Sequence, residues 1–476
     1  MHKLKKIITQ IHQDHFLEIE ESLKGTNSVK FHFLFTEYKK NILSDEDIKN
    51  QLNCTDNSYY VLKSRLYDKI QKFILSNNNL SENQTSANSN SDLTHYLYEF
   101  PNETTVAMLQ ELENKYIAID SPNDLMNVYS ALKKAHFYSD KYYAYSQLYN
   151  NQVAYALAIE KAEETLYNFN RTLSSYYFSD SPDDIELMKL LIKEIKNIHS
   201  LYKSSRIEII LNIIIIQSTL FAKIDHKDEP AIEDLLSASE NILIQYENDS
   251  KINYYKPVIK FLYFEYYFSL NQLKKASTYF IELETYSQKW LLQNNSCLAF
   301  KFLLSKIEYL LIQDQKGDIG NHVEDMYFDS KDLYTDVIYK FYKGISLFYD
   351  GKTKKCITTL NDLLNEISFK NFFYIESEVK LSLAFFYISQ NEIELAENIL
   401  KGLSRKLATI KIKEYKNIKE AIKLFNILMN DISKAASLKK YKDSLDQFEF
   451  YNLKEKKVLS YLMPELELLA SGNRRK

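Results

Sequence analysis

Apolar residues recur at intervals of three and four along most of this chain of 476 residues, which is the spacing of one face of an α-helix. Leu4, Ile7 and Ile8 show the pattern near the start. Helix starts are marked where an N-cap serine precedes a first-turn proline and acidic residues, at Ser121-Pro122 and Ser181-Pro182. Glycine, which tight hairpins need for positive φ angles, occurs only 7 times, and proline 6 times. We therefore expect an all-α protein.

One polar, asparagine- and serine-rich stretch interrupts the helical pattern after residue 77. It has too little apolar content to offset the entropy of ordering, so we expect a flexible linker there. The predicted organisation is a small helical unit over 1–77, the linker over 78–94, a helical region with degenerate repeats over 95–250, clearer repeats over 251–435, and C-terminal helices with a basic tail over 436–476.

Three self-similar segments lie in the second half of the chain, each an aromatic-rich helix, a short turn and a second helix. The turn residues are of types that tolerate left-handed backbone, and a small residue follows each of them by five positions. The three pairs are Asn271 with Ala276, Gly351 with Cys356, and Asn391 with Ala396. The small residue lets the two helices approach closely, so we expect these residues to carry the packing within each repeat.

The turns fall 80 and then 40 positions apart, so a further unit near Lys316-Gly317 would complete a period of about 40 residues. The segment around Asn391 resembles the tetratricopeptide repeat (TPR) family. Its matching positions are Leu383, Ala384, Tyr387, Ala396, Leu400 and Leu403, whereas Lys380 stands where that family has tryptophan. The resemblance implies an α-solenoid, a right-handed superhelix of helix pairs over about 100–435 that binds a protein or a peptide.

Residues 45–70 have the spacing of a helix-turn-helix. The apolar positions that would pack its two helices are Ile48, Leu52, Cys54, Tyr59 and Leu62. Asn53 stands at the turn, where glycine is usual, and Lys49 departs from the pattern because a small residue normally sits at that crossing. We expect the second helix to begin near Ser58.

That second helix is rich in cations that could contact phosphates, and two polar residues near its start could reach base edges. The predicted DNA contacts are Asn57, Ser58, Lys63, Arg65, Lys69 and Lys72. If the prediction holds, Lys63, Arg65 and Lys69 project outward. The alternative is a plain helical hairpin with a solvated basic face.

Charge and chemistry narrow the choice of function. The net charge of −4 gives no bulk attraction to nucleic acid or to anionic membranes. The 3 cysteines form no CxxC pair, and no phosphate-binding loop or nucleophile–base pair is recognisable, so we expect no metal, no cofactor and no enzyme. The most apolar stretch, Ile207–Phe221, is too short to span a bilayer and is expected to be a buried helix. We expect no membrane contact and a cytoplasmic location.

These observations favour an intracellular TPR-like scaffold that binds a protein or peptide partner. An alternative is a DNA-binding transcriptional regulator that uses residues 45–72 for DNA and the repeats as a sensor or interaction domain. A third hypothesis, an enzyme whose site lacks any motif, requires a deep pocket with converging titratable groups.

Overall fold

The computed structural model describes residues 3–10, 13–24, 29–77, 102–226, 229–286, 296–315, 333–410, 415–430 and 435–470, with isolated positions at 93, 97 and 319. Within these residues the regular structure is entirely helical and contains no strand, as the sequence predicted. The predicted linker over 78–94 and the last six residues of the basic tail lie outside the described residues, apart from residue 93. The chain divides into two compact units, Met1–Leu157 and Ala158–Lys476.

The first unit contains seven described helices of two turns or more and the start of an eighth. They are α1 (Lys3–Gln10), α2 (Gln13–Lys24), α3 (Val29–Lys40), α4 (Asp45–Gln51), α5 (Asp56–Asn77), α6 (Asn102–Ala118), α7 (Pro122–Ala135) and α8 (Lys141–Ser179), which continues past Leu157. Helix α4 begins at a capping box, in which the Ser44 hydroxyl accepts from the Asp47 amide and the Asp47 carboxylate accepts from the Ser44 amide.

Two separate apolar cores lie in the first unit. One is formed by α1 to α5 around fully buried Leu34, Phe35 and Ile48. The other is formed by α6 and α7 around Leu109 and Val128. Each core follows from the helical spacing of its apolar residues.

The second unit comprises the end of α8 and all the helices that follow it. These are α9 (Pro182–Leu201), α10 (Ser205–Ala222), α11 (Ile232–Gln245), α12 (Ser250–Asn253), α13 (Lys256–Ser269), α14 (Leu273–Glu284), α15 (Ser296–Ile312), α16 (Leu333–Tyr349), α17 (Thr353–Glu366), α18 (Phe373–Ser389), α19 (Ile393–Thr409), α20 (Lys416–Leu428), α21 (Ala435–Lys454), a 3-10 turn (Ser460–Leu462) and α22 (Met463–Ala470). Helices adjacent in the chain pack together in pairs, notably α13 with α14, α16 with α17, α18 with α19, and α20 with α21.

Left-handed turn residues recur between positions 180 and 391 at intervals of 37 to 48 positions, and Tyr415 and Leu459 are left-handed outside this series. The series consists of Asp180, Lys223, Asn271, Asp314, Gly351 and Asn391, with φ between 54° and 76°. We call the helix before each of these turns an A helix (α8, α10, α13, α15, α16 and α18) and the helix after it a B helix. The last four turns share one pattern, in which the turn amide donates three residues back and the next amide donates five residues back.

The additional unit that the sequence predicts near Lys316-Gly317 has its turn at Asp314, where φ is 56°. Its A helix is α15, and the residues that would form its B helix lie outside the described part of the chain. The period is therefore less regular than 40 residues, but the turn chemistry is the same.

The three small residues at the start of B helices, Ala276, Cys356 and Ala396, are fully buried. Burial raises the pKa of the Cys356 thiol well above its usual value. Helices α16 and α17 approach closely, since a Cβ on Gly344 would lie 2.6 Å from the Leu360 side chain. A larger residue at these crossings would force the two helices apart.

Helix α10 is the most apolar helix of the second unit, and it packs against α9, α11 and α13. By length and composition it is the one described helix that could cross a membrane, and 72% of it is buried inside the protein. Its apolar residues therefore face other helices on most sides, as the sequence of Ile207–Phe221 predicted.

Candidate functional site

The predicted helix-turn-helix segment forms two helices, α4 and α5, that share one core with α3. Ile48 and Tyr59 are buried in that core, and Leu52, Cys54 and Leu62 pack against it. Asn53 adopts a left-handed conformation with φ of 47°, so asparagine supplies the turn that glycine often supplies. The apolar positions of the motif thus lie where its spacing requires.

The position of Lys63 is a correction to the sequence analysis. Instead of projecting outward, this side chain is 9% exposed, and its ammonium lies 3.1 Å from the Asp45 carboxylate and 4.6 Å from the Tyr59 ring. Asp45 also accepts from the Tyr38 hydroxyl at 2.8 Å. The expectation was wrong for Lys63 because charge spacing along one helix does not reveal an acid at the start of another helix.

The other predicted DNA contacts differ in how exposed their side chains are. Asn57, Ser58 and Arg65 are exposed on α5. Lys69 is half-buried, with its ammonium 4.8 Å from the centre of the Phe31 ring. The side chain of Lys72 lies outside the described residues. Of the three cations expected to project outward, Arg65 is thus the one that is well exposed.

In the second unit, A helices contact the stretch that follows α21, which we call the C-terminal segment (Glu455–Leu462). It includes left-handed Leu459 and the 3-10 turn Ser460–Leu462. The contacts join A-helix side chains to the main chain of the segment. The Glu378 carboxylate accepts from the Leu459 amide at 2.8 Å, and the Tyr349 hydroxyl donates to the Tyr461 carbonyl at 2.6 Å. The Tyr374 hydroxyl donates to the Lys457 carbonyl. Such contacts hold a backbone in place without depending on its side chains.

An aromatic cage surrounds the one lysine of the segment that points into the unit. The Lys456 ammonium lies 3.9 Å from the centre of the Tyr374 ring, 4.7 Å from that of Tyr176 and 5.0 Å from that of Tyr177. It also donates to the Tyr176 and Tyr177 carbonyls at 2.9 and 2.8 Å. Ring faces and carbonyl oxygens are both electron-rich, so this cage selects a cation.

Apolar side chains of the segment complete the contact. Val458, Leu459 and Leu462 are fully buried, and so is Tyr461. The Tyr461 ring meets Phe341 edge to face at a centroid distance of 5.5 Å, and its hydroxyl lies 2.8 Å from the Ser382 hydroxyl. The segment is therefore held by apolar burial as well as by its polar contacts.

The bend that leads into the segment is fixed by two buried asparagines. The Asn452 side chain accepts from the Val458 amide at 2.8 Å and donates to the Val458 carbonyl at 2.9 Å. Asn417 donates to the Asn452 carboxamide at 3.2 Å. Glu455 accepts from the Lys416 amide at the start of α20. These hydrogen bonds thus fix the backbone at the start of the segment independently of its contacts with the A helices.

A buried carboxyl group lies beside the segment. Burial raises the pKa of Glu378 to about 7, although the hydrogen bond from Leu459 and the nearby charge of Lys456 act in the opposite direction. Burial likewise raises the pKa of Glu265 on α13, whose carboxylate lies 3.5 Å from the Lys301 ammonium.

The sequence analysis did not identify this contact region. Glu378 stands in the largely polar stretch Glu376–Lys380 of α18, and nothing in the sequence pairs it with Leu459. Lys456 stands beside Lys457 in a charged run that is typical of a solvated surface. Only the fold brings these distant residues together.

Among the described residues, no group of three or more His, Cys, Asp or Glu side chains is arranged to hold a metal ion. Comparison with known proteins gives no further guidance, because no family model, no curated protein and no solved structure matches this chain.

Proposed function

We propose that the second unit is a TPR-like α-solenoid and that the protein is an intracellular scaffold that binds a protein or peptide partner along its A helices. Support for the repeat comes from the paired helices and from left-handed turns such as Asn271, Gly351 and Asn391. In such arrays, neighbouring repeats present one continuous surface to a ligand.

The observation that carries the proposal is the way in which the A helices hold the C-terminal segment. Glu378, Tyr349 and Tyr374 bind its main chain, and the cage of tyrosines binds Lys456. Main-chain contacts supply affinity that does not depend on the identity of the side chains, and side-chain pockets supply selectivity, as in known modes of peptide recognition. A face that already binds an irregular segment of its own chain is suited to bind that of a partner.

Site-specific photocrosslinking in the native cell tests this proposal. A benzoylphenylalanine is introduced at Tyr167, on A helix α8, or at Ile281, on B helix α14; both side chains are 65% exposed. We expect Tyr167 to crosslink to one defined polypeptide and Ile281 to give no such product. The purified partner should then bind the unmodified full chain in solution.

Equal crosslinking from the two positions, or a product from Ile281 alone, would contradict binding along the A helices. The matched exposure of the two sites ensures that a difference between them reports the face of the repeat and not simple accessibility.

A second candidate function is that of a DNA-binding regulator, and the packing of α3, α4 and α5 around Ile48 with the left-handed turn at Asn53 favours it. Asn57, Ser58 and Arg65 remain exposed for contact with DNA. Titration of the full chain with duplex DNA tests it. Affinity should fall with salt by a logarithmic slope of about −0.9 for each phosphate contacted. No binding at low salt would exclude this candidate.

A further inference from the structure

A cavity of about 430 Å³ lies in the second unit, where α8, α10 and the start of α13 meet. Its inner wall is apolar and nearly inaccessible, formed by Leu166, Ile213 and Val258. Tyr167 and Tyr254 stand at its exposed rim. Its lining also includes the charged residues Glu163 and Lys251, and its volume is that of a site for a small ligand or a side chain.

One buried side chain in this cavity lacks hydrogen bonds. Gln217 is fully buried, and among the described residues neither its amide nitrogen nor its amide oxygen has a hydrogen-bond partner. An unpaired buried amide is costly, since each lost hydrogen bond forfeits about 1–3 kcal/mol of solvation. A leucine at this position would pack without that cost, so the amide is unfavourable for the fold alone.

The same helix carries a matched carboxamide that is satisfied. Asn212 is 4% exposed, and its side-chain nitrogen donates to the Ser239 hydroxyl at 3.2 Å. Helix α10 therefore pairs one buried amide within the protein and directs the other, Gln217, to a cavity. Residues that break the rules of folding in this way are commonly functional.

We propose that this cavity binds an apolar or aromatic residue of a peptide ligand and that Gln217 pairs with an amide group of that residue. A carboxamide presents one acceptor and two donors, so it can accept from a ligand N–H while it donates to a ligand carbonyl. The apolar wall of Leu166, Ile213 and Val258 receives the side chain of the same residue. That the ligand is a peptide rests on the proposed function, whereas the pairing role of Gln217 rests on the cavity.

The first test compares the stability of Gln217→Leu with that of Asn212→Leu in the full chain. We expect Gln217→Leu to raise the midpoint of thermal unfolding by about 1–3 °C, because an unpaired amide is replaced by an apolar group. Asn212→Leu should lower the midpoint, because it removes the buried hydrogen bond that the Asn212 amide donates to the Ser239 hydroxyl. A Gln217→Leu variant that unfolds at a lower temperature than wild type would overturn the proposal.

The second test measures the binding of N-acetylphenylalaninamide, a single residue with two amide groups, by chemical-shift titration of the full chain. Gln217→Leu should weaken this binding at least tenfold, in accord with two lost hydrogen bonds of about 1 kcal/mol each. Propylbenzene, which has the ring but no hydrogen-bonding group, should not bind Gln217→Leu more weakly than it binds wild type.

Failure of the acetylated amide to bind wild type, or equal binding to wild type and Gln217→Leu, would overturn the inference. These outcomes are separable from the proposed function. Crosslinking from Tyr167 to a polypeptide in the Gln217→Leu chain would leave the scaffold proposal intact while the cavity inference fails. If the chain binds the acetylated amide but Tyr167 forms no crosslinks, the cavity inference stands and the scaffold proposal fails.

Discussion

Two stretches of helix α8 differ in what covers them. Near its end, Tyr176 and Tyr177 are covered by the C-terminal segment and bind Lys456. Two to three turns earlier, Leu166 and Asn170 line a cavity into which no segment of the described chain extends. In the covered stretch, the half-buried Lys456 ammonium is paired with carbonyls and rings. In the open stretch, the amide of Gln217 is unpaired among the described residues.

The comparison teaches that buried polar groups report what a surface is built to contact. Beside the segment, Oε1 of Glu378, the Ser382 hydroxyl and the Lys456 ammonium have partners that the chain itself provides, whereas Oε2 of Glu378 has none among the described residues. In the cavity, the amide of Gln217 has none within the described residues, so its pairing requires a molecule from outside. The covered region thus contributes to stability, and the open region is available for recognition.

The largest effect is expected where the segment is anchored by apolar burial. Leu459 is fully buried, whereas Leu453, six residues earlier, is 70% exposed. Leu459→Ala should lower the free energy of unfolding of the second unit by about 2–5 kcal/mol, and Leu453→Ala by less than about 0.5 kcal/mol. Denaturant titration of the two variants measures the difference. Similar values would mean that the segment is not part of the folded core.

The Glu378 carboxyl gives the next largest effect. Its pKa rises from an ordinary 4.5 to about 7 on folding, so its contribution to stability is present below pH 4.5 and is lost as the pH rises to 7. Glu378→Gln retains an acceptor for the Leu459 amide and should raise the stability by up to about 3 kcal/mol above pH 7.

Unfolding of wild type and Glu378→Gln at pH 8 and at pH 5 provides the measurement. The stability difference should be smaller at pH 5 than at pH 8. A constant difference, or one that grows toward pH 5, would show that the Glu378 carboxyl is not destabilised by burial.

The aromatic cage predicts a specific cost for the loss of one of two adjacent lysines. Lys456→Met retains the length of the side chain but removes the cation from its carbonyls and rings, so it should cost about 2 kcal/mol of stability. Lys457→Met, at an exposed position, is the matched control and should have almost no effect. If the two variants unfolded at the same denaturant concentration, the aromatic cage would not contribute to the stability of the second unit.

The smallest effect extends the comparison to the first unit. Lys63 is paired with Asp45, whereas Arg65 is exposed on the same helix. Lys63→Met should lower the stability of the first unit by about 1 kcal/mol, and Arg65→Met should leave it unchanged within about 0.5 kcal/mol. Unfolding followed by hydrogen exchange within α5 distinguishes them. If Arg65→Met were the more costly change, the assignment of Lys63 to packing would be wrong.

The helical architecture was accessible from the sequence because it depends on local rules. The helical spacing of apolar residues and the scarcity of glycine predicted an all-α chain. The residues Asn271, Gly351 and Asn391 adopt the left-handed conformation that their types suggested, because no Cβ or a short polar side chain lowers its cost. Each of these features requires knowledge of a few neighbouring positions only.

The candidate site depends on contacts over long distances and was not accessible in this way. Lys456 meets Tyr176 across 280 positions, and Glu378 meets Leu459 across 81. Lys63 was placed wrongly for the same reason, since its partner Asp45 belongs to another helix. Gln217 was visible as a polar interruption in an apolar run, but the absence of its hydrogen bonds is a property of the fold.

The central claim is that the A helices bind a polypeptide segment with a lysine in the tyrosine cage. It is tested most directly by inserting a protease site between Lys454 and Glu455, cutting the folded chain, removing the released fragment and adding a labelled peptide of residues 455–470. We predict saturable binding, weakened at least tenfold when the peptide carries Lys456→Met and unchanged when it carries Lys457→Met. Equal affinities for the two altered peptides, or no binding of the wild-type peptide, would contradict the claim.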